Sequence, residues 1–74
     1  MIIYGAMYNW NVREENDDLL SLHKTKEGAD KAVKKHKQLE YDIDRKYCIK
    51  RGEIYPSDFM LNKDWSICEY ELLD

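Results

Sequence analysis

"IIYGAMYNWN", Ile2–Asn11, sets the architectural problem of this chain. Its β-branched and aromatic side chains suit a pleated surface and predict a strand over residues 2–12. Alternation places Ile2, Tyr4, Ala6, Tyr8, Trp10 and Val12 on one face. Ile3, Gly5, Met7, Asn9 and Asn11 take the other. Both faces start apolar, and only the second turns polar towards its end. An antiparallel sheet with one covered face normally shows polar side chains on the other. This strand does not, so the fold must cover both faces or leave an apolar patch. Gly5 predicts a bulge or a close backbone approach.

Only one substantial helix is available to cover a sheet. In "TKEGADKAVKKH" (Thr25–His36), Thr25 is an N-cap candidate, and Glu27 and Asp30 lie where acids complement the helix dipole. Ala29, Ala32, Val33, His36, Leu39 and Ile43 fall on one helical face, and Lys31, Lys34, Lys35, Lys37 and Gln38 on the rest. Before the helix, "REENDD" (Arg13–Asp18) is a polar turn, and "LLSLHK" (Leu19–Lys24) is a second strand in which Leu20 and Leu22 alternate with Ser21 and His23. From Tyr41 to Asp64 the pattern loosens. "KYCIK" (Lys46–Lys50) reads as a short strand or an irregular segment, and "RGE" as a turn. Pro56 suits the first turn of a short helix ending at Leu61. "WSICEYELL" (Trp65–Leu73) is a closing strand, with Trp65, Ile67, Glu69, Glu71 and Leu73 on one face and Ser66, Cys68, Tyr70 and Leu72 on the other. The expected fold is a single α+β domain over residues 1–74. It has a ββαβ-like, mainly antiparallel sheet (β-hairpin, main helix, closing strand) and an extra short helical segment near 56–61.

At 74 residues the chain is one domain. A chain of this size buries only ~60% of the surface its unfolded form exposes, and small domains often add a disulfide, a metal or a second subunit. Cys48 and Cys68 lack Cys-x-x-Cys spacing and read as reduced thiols of a cytosolic protein, with a single Cys48–Cys68 bridge also compatible. No apolar run approaches the ~20 residues of a membrane span. The N-terminal residues lack the basic region and the cleavage site of a signal peptide. A cytoplasmic location without membrane contact is expected. The net charge of −3 is unevenly spread. His23–Arg51 holds ten basic against five acidic residues, and the remainder holds two against ten. The basic centre is suited to acidic partners and the ends to basic ones.

The order strand, strand, helix, irregular segment and acidic-apolar strand resembles a group of very short proteins common in bacteriophage genomes. The carriers are Thr25, Glu27, Ala29 and Ala32 at the helix start, then Glu69, Tyr70, Glu71 and Leu72 in the closing strand. The resemblance covers most of the chain and rests on pattern. Gly28 interrupts the usual helix start, and residues 50–64 look like an addition. The resemblance implies a non-enzymatic accessory protein in a host cytoplasm, of a kind that inhibits or redirects a host protein.

Chemistry-bearing patterns are sparse. His23, His36, Cys48 and Cys68 are separated by 13, 12 and 20 residues, which matches no zinc signature, and His36 reads as a packed ring. No glycine-rich elbow flanks either cysteine, and three scattered glycines cannot cradle a phosphate. Glu69 and Glu71 share a strand face and read as solubilising an edge. No enzyme activity, cofactor or metal is expected. Two binding readings remain. Lys31, Lys34, Lys35 and Lys37 suit phosphates of a nucleic acid, although the lysine face and the aromatic strand would lie on opposite sides of the sheet. The preferred reading is a protein-binding module. Its contacts would be Tyr4, Tyr8 and Trp10 on the sheet, with Tyr55, Phe59 and Met60 in "IYPSDFML" (Ile54–Leu61). The partner would be a host or other protein, or a second copy in a homodimeric domain.

Overall fold

In a computed structural model, which describes residues 1–10 and 18–73, the chain forms an α+β unit. The elements are β1 (Ile2–Trp10), β2 (Asp18–His23), α1 (Lys26–Arg51), α2 (Asp58–Leu61) and β3 (Lys63–Glu71). The strands make one antiparallel sheet of order β2-β1-β3, with the apolar N-terminal strand at its centre. The expected turn at Arg13–Asp18 falls almost wholly outside the described residues, as do Asn11, Val12 and the side chain of Trp10.

α1 starts where its cap dictates. Thr25 is extended, its hydroxyl accepts from the Gly28 N–H at 3.1 Å, and its carbonyl accepts from Ala29. The helix runs 26 residues, through "KYCIK", which is helical and neither strand nor irregular. No glycine or proline lies between Gly28 and Gly52 to stop it. It ends at Gly52, whose φ of 67° suits a residue without Cβ. There the N–H of Gly52 bonds to Ile49 and that of Glu53 to Cys48, the paired bonds of a Schellman close. Pro56 lies two residues before α2, after a cis Tyr55–Pro56 bond; the cap is Ser57, whose hydroxyl accepts from Met60 N–H at 3.3 Å.

α1 covers one face of the sheet. Ala6 and Ala29 are wholly buried, and Ala32, Val33 and His36 are half-buried. Leu39 and Ile43, expected on the packed face, are exposed. A helix of 26 residues is about 39 Å long and a strand of nine about 30 Å, so α1 overhangs the sheet. Beyond Glu40 the packed stripe continues through Tyr41, Asp44 and Cys48, against the 52–62 segment. This overhang, with α2, makes a small helical lobe. Its interior is Cys48, Ser57 and Met60.

β2 carries a register shift opposite Ala6/Met7, where Ser21 pairs with Ala6 and Leu19 with Met7. Leu20 is the extra residue. The bulge therefore brings Leu19 and Leu22, three apart in sequence, to the same face as Met7 and Gly5. Simple alternation predicted Leu20 with Leu22 instead.

Candidate binding surfaces

The helix-covered face holds the aromatic residues that opened the sequence. The Tyr8 ring lies 5.0 Å from His36 and 5.5 Å from Trp65, centroid to centroid. Trp65 Nε1–H donates to His36 Nδ1 at 2.9 Å. An accepting Nδ1 puts the ring proton on Nε2, which faces Glu40 Oε1 at 3.5 Å. Glu40 also pairs with Lys63 at 3.1 Å. This chain of polar contacts fixes α1 to the first residues of β3. Tyr4 is half-buried in the same row, level with His23 and Glu69. Tyr4 and Tyr8 thus lie under or beside the helix. Trp10 is level with Lys63 in the register. Of the lysines, Lys34 pairs with Asp30 at 2.9 Å, and the Lys37 ammonium lies 5.7 Å over the Trp65 ring. Lys31 and Lys35 are exposed.

The opposite face of the sheet carries no helix. Ile3, Leu19, Leu22, Tyr70 and Leu72 ring a shallow depression of about 280 Å³. Gly5 and Met7, on the same face of β1, are buried. A Cβ at position 5 would lie 2.9 Å from Tyr70 Cε2 and 3.0 Å from Leu19 Cδ1, so glycine lets these side chains close over the strand. The Tyr70 hydroxyl reaches Met7 Sδ at 4.0 Å. Leu22 is 55% exposed, and Leu19, Tyr70 and Leu72 are similarly open. These side chains together form an exposed apolar patch on the sheet. Sequence reasoning found the second face of β3 but not its partners in β2, because the bulge breaks their alternation.

The helical lobe is the second apolar surface. Its inner side is polar and tightly bonded. Asp44 accepts from the Ser57 N–H at 2.9 Å and from the Ser57 hydroxyl. The Cys48 thiol, 1% exposed, donates to the Ile54 carbonyl at 3.5 Å. Burial pushes this thiol above its usual range, and the charges of Asp44 and Glu53 push the same way. Cys48 is therefore held as the neutral thiol, the opposite of an activated nucleophile. The rings of Tyr41 and Tyr55 meet edge to face at 6.2 Å. The outer side is apolar: Ile54 is 88% exposed and Leu61 64%, with Phe59, Tyr55, Ile43 and Tyr47 also exposed. Tyr55 and Phe59 thus sit on an open surface. Met60 is 2% exposed and belongs to the lobe's interior, because α2 turns that one side chain inward against α1.

Both cysteines are free, Cys48 inside the lobe and Cys68 level with Gly5 in the sheet. Among the described residues, no group of three or more His, Cys, Asp or Glu is arranged to hold a metal ion. Among the described residues, no helix is long and apolar enough to cross a membrane. Comparison with protein-family models, curated proteins and solved structures finds no match for this chain.

Proposed function

We propose that this chain is a small protein-binding module without chemistry of its own, acting by occupying the surface of another protein. The observation that supports it is the lobe. Ile54, Phe59 and Leu61 stand open to solvent on a backbone fixed from below by Asp44. Large apolar side chains on a rigid, internally bonded scaffold lose little entropy on docking and are typical interface anchors. The resemblance to short phage-encoded proteins favours a host protein in the cytoplasm as the partner, to be inhibited or redirected.

The test is an affinity capture from bacterial lysate with the tagged full chain, with and without nuclease, read by mass spectrometry. The expected result is one stoichiometric protein that survives nuclease and is lost with Ile54→Lys or Phe59→Lys. Capture that vanishes with nuclease and with the Lys31→Glu/Lys35→Glu pair would overturn this reading in favour of nucleic acid, whose binding would also weaken steeply with salt.

A further inference from the structure

We propose that the outer edge of β3 is a self-pairing strand, along which two copies of this chain join antiparallel about a twofold axis at Ile67 and make one continuous sheet. The proposal is independent of what the lobe binds.

β1 fills the centre of the sheet, so β3 has a neighbour on one side only. Met1 and Leu72 exchange both backbone hydrogen bonds and so form a hydrogen-bonded pair of the antiparallel ladder. The register between β1 and β3 runs without a shift, so alternation turns the N–H and C=O groups of Ser66, Cys68 and Tyr70 towards β1. Those of Trp65, Ile67, Glu69 and Glu71 point outward, and no other backbone group among the described residues bonds to them. Such a row is a template for a further strand. The opposite edge of the sheet is a poorer one. β2 has six residues and its ladder is broken by the Leu20 bulge, whereas β3 has nine and contains neither bulge nor proline.

The side chains select the strand that fits. Set antiparallel on itself about Ile67, β3 overlaps over all nine residues, and its outward-pointing residues meet as hydrogen-bonded pairs. Lys63 then stands opposite Glu71 of the second copy, Trp65 opposite Glu69, and Ile67 opposite Ile67; on the other face Asp64 meets Tyr70 and Ser66 meets Cys68. No like charges oppose each other. The Lys37 ammonium, which lies over the Trp65 ring, is beside the place taken by Glu69 of the second copy. Leu73 of the second copy, 88% exposed in the single chain, continues towards Leu61, 64% exposed. Parallel in-register pairing would instead set Lys63, Glu69 and Glu71 each against its own kind, which is destabilising. A two-residue slip of the antiparallel pair in either direction shortens the ladder and parts Glu71 from Lys63. With Lys63 at its start and Glu69 and Glu71 at its end, β3 is complementary to its own reverse, as an isologous contact requires. A strand of another protein would have to reproduce that order, and a second copy supplies it by symmetry. The twofold axis stands perpendicular to the sheet, so both helices lie on one side of it.

Sedimentation velocity of the full chain, from low micromolar to several hundred micromolar, reads the association, and amide exchange followed by NMR reads its place. The wild type should sediment at twice 8.9 kDa at the upper end. In dilute protein the N–H groups of Ser66, Cys68 and Tyr70 should be protected and those of Trp65, Ile67, Glu69 and Glu71 should not. The second set should become protected as concentration rises. Glu69→Pro removes an outward N–H and no bond to β1, so far-UV circular dichroism should be unchanged while association weakens by at least about tenfold. Glu71→Lys places like charges opposite each other twice in the dimer and should weaken it about fivefold at low salt; if Glu69→Pro unfolds, this variant carries the test. Leu22→Lys on the open face and Phe59→Lys on the lobe should leave the dimer intact. A wild type that stays monomeric throughout overturns the proposal. So does a dimer in which the outward amides of β3 stay unprotected, or one that Leu22→Lys or Phe59→Lys dissociates and Glu71→Lys does not.

Discussion

Asp44 and Cys48 stand one helical turn apart and face the same loop. Asp44 accepts two hydrogen bonds from Ser57. Cys48 has the Ile54 carbonyl as its nearest acceptor and a carboxylate beside it, and both favour the protonated thiol. In the unfolded chain a cysteine ionises near pH 8.5. In the fold it holds its proton to higher pH. The folded state is therefore not penalised below about pH 8.5, and it loses stability as pH rises from there through the folded value. The unfolding free energy of the wild type, measured in urea, should fall more steeply between about pH 8 and 9.5 than that of Cys48→Ala. A slope equal in the two proteins would refute the assignment. The same burial predicts that a thiol reagent reaches Cys48 only after denaturation.

Elements differ in how openly they announce themselves. The start of α1 was legible because Thr25 and Glu27 carry the chemistry of a helix N-terminus. Its last three turns were not. There the inward stripe is Tyr41, Asp44 and Cys48, which carries too little hydrocarbon to read as an apolar face, while Ile43, Tyr47 and Ile49 point outward and imitate a strand. The stop itself, Arg51-Gly52-Glu53, read correctly as a turn. The sheet shows the same limit. Alternation sorted β3 into its two faces, but a one-residue bulge exchanged Leu20 for Leu19 in β2. Asp44 is what holds the hidden half of α1 to the segment that follows. Asp44→Ala would strand the Ser57 N–H and hydroxyl in a buried position and should cost about 1–3 kcal/mol. Hydrogen exchange should then quicken in residues 53–61 and leave β1 unchanged. Uniform acceleration across the chain would mean that lobe and sheet unfold as one unit.

On the scale of the molecule, one helix and three strands already implied a sheet with an uncovered apolar face. Which face was open could not be read, since Tyr4 and Tyr8 compete for burial with Ile3 and Met7. Contacts distant in sequence decide it: Trp65 and His36 meet across 29 residues and draw Tyr8 beneath the helix. The result is a thin body of 53 × 24 × 11 Å. Its buried apolar residues are Ala6, Met7, Ala29, Cys48 and Met60 among those described. So small a core gives the single chain a thin stability margin. If a second copy pairs along β3, association adds to that margin and stability follows protein concentration. With the usual enthalpy per residue, a dimer of 74-residue chains should melt roughly 10 °C higher after a hundredfold rise in concentration. Differential scanning fluorimetry or circular dichroism across that range measures the slope. Glu69→Pro should melt lower than the wild type at high concentration and show no slope, because its monomer unfolds by itself. A wild-type melting temperature independent of concentration would mean that this small core suffices for a single chain and that the β3 edge does not pair with a second copy.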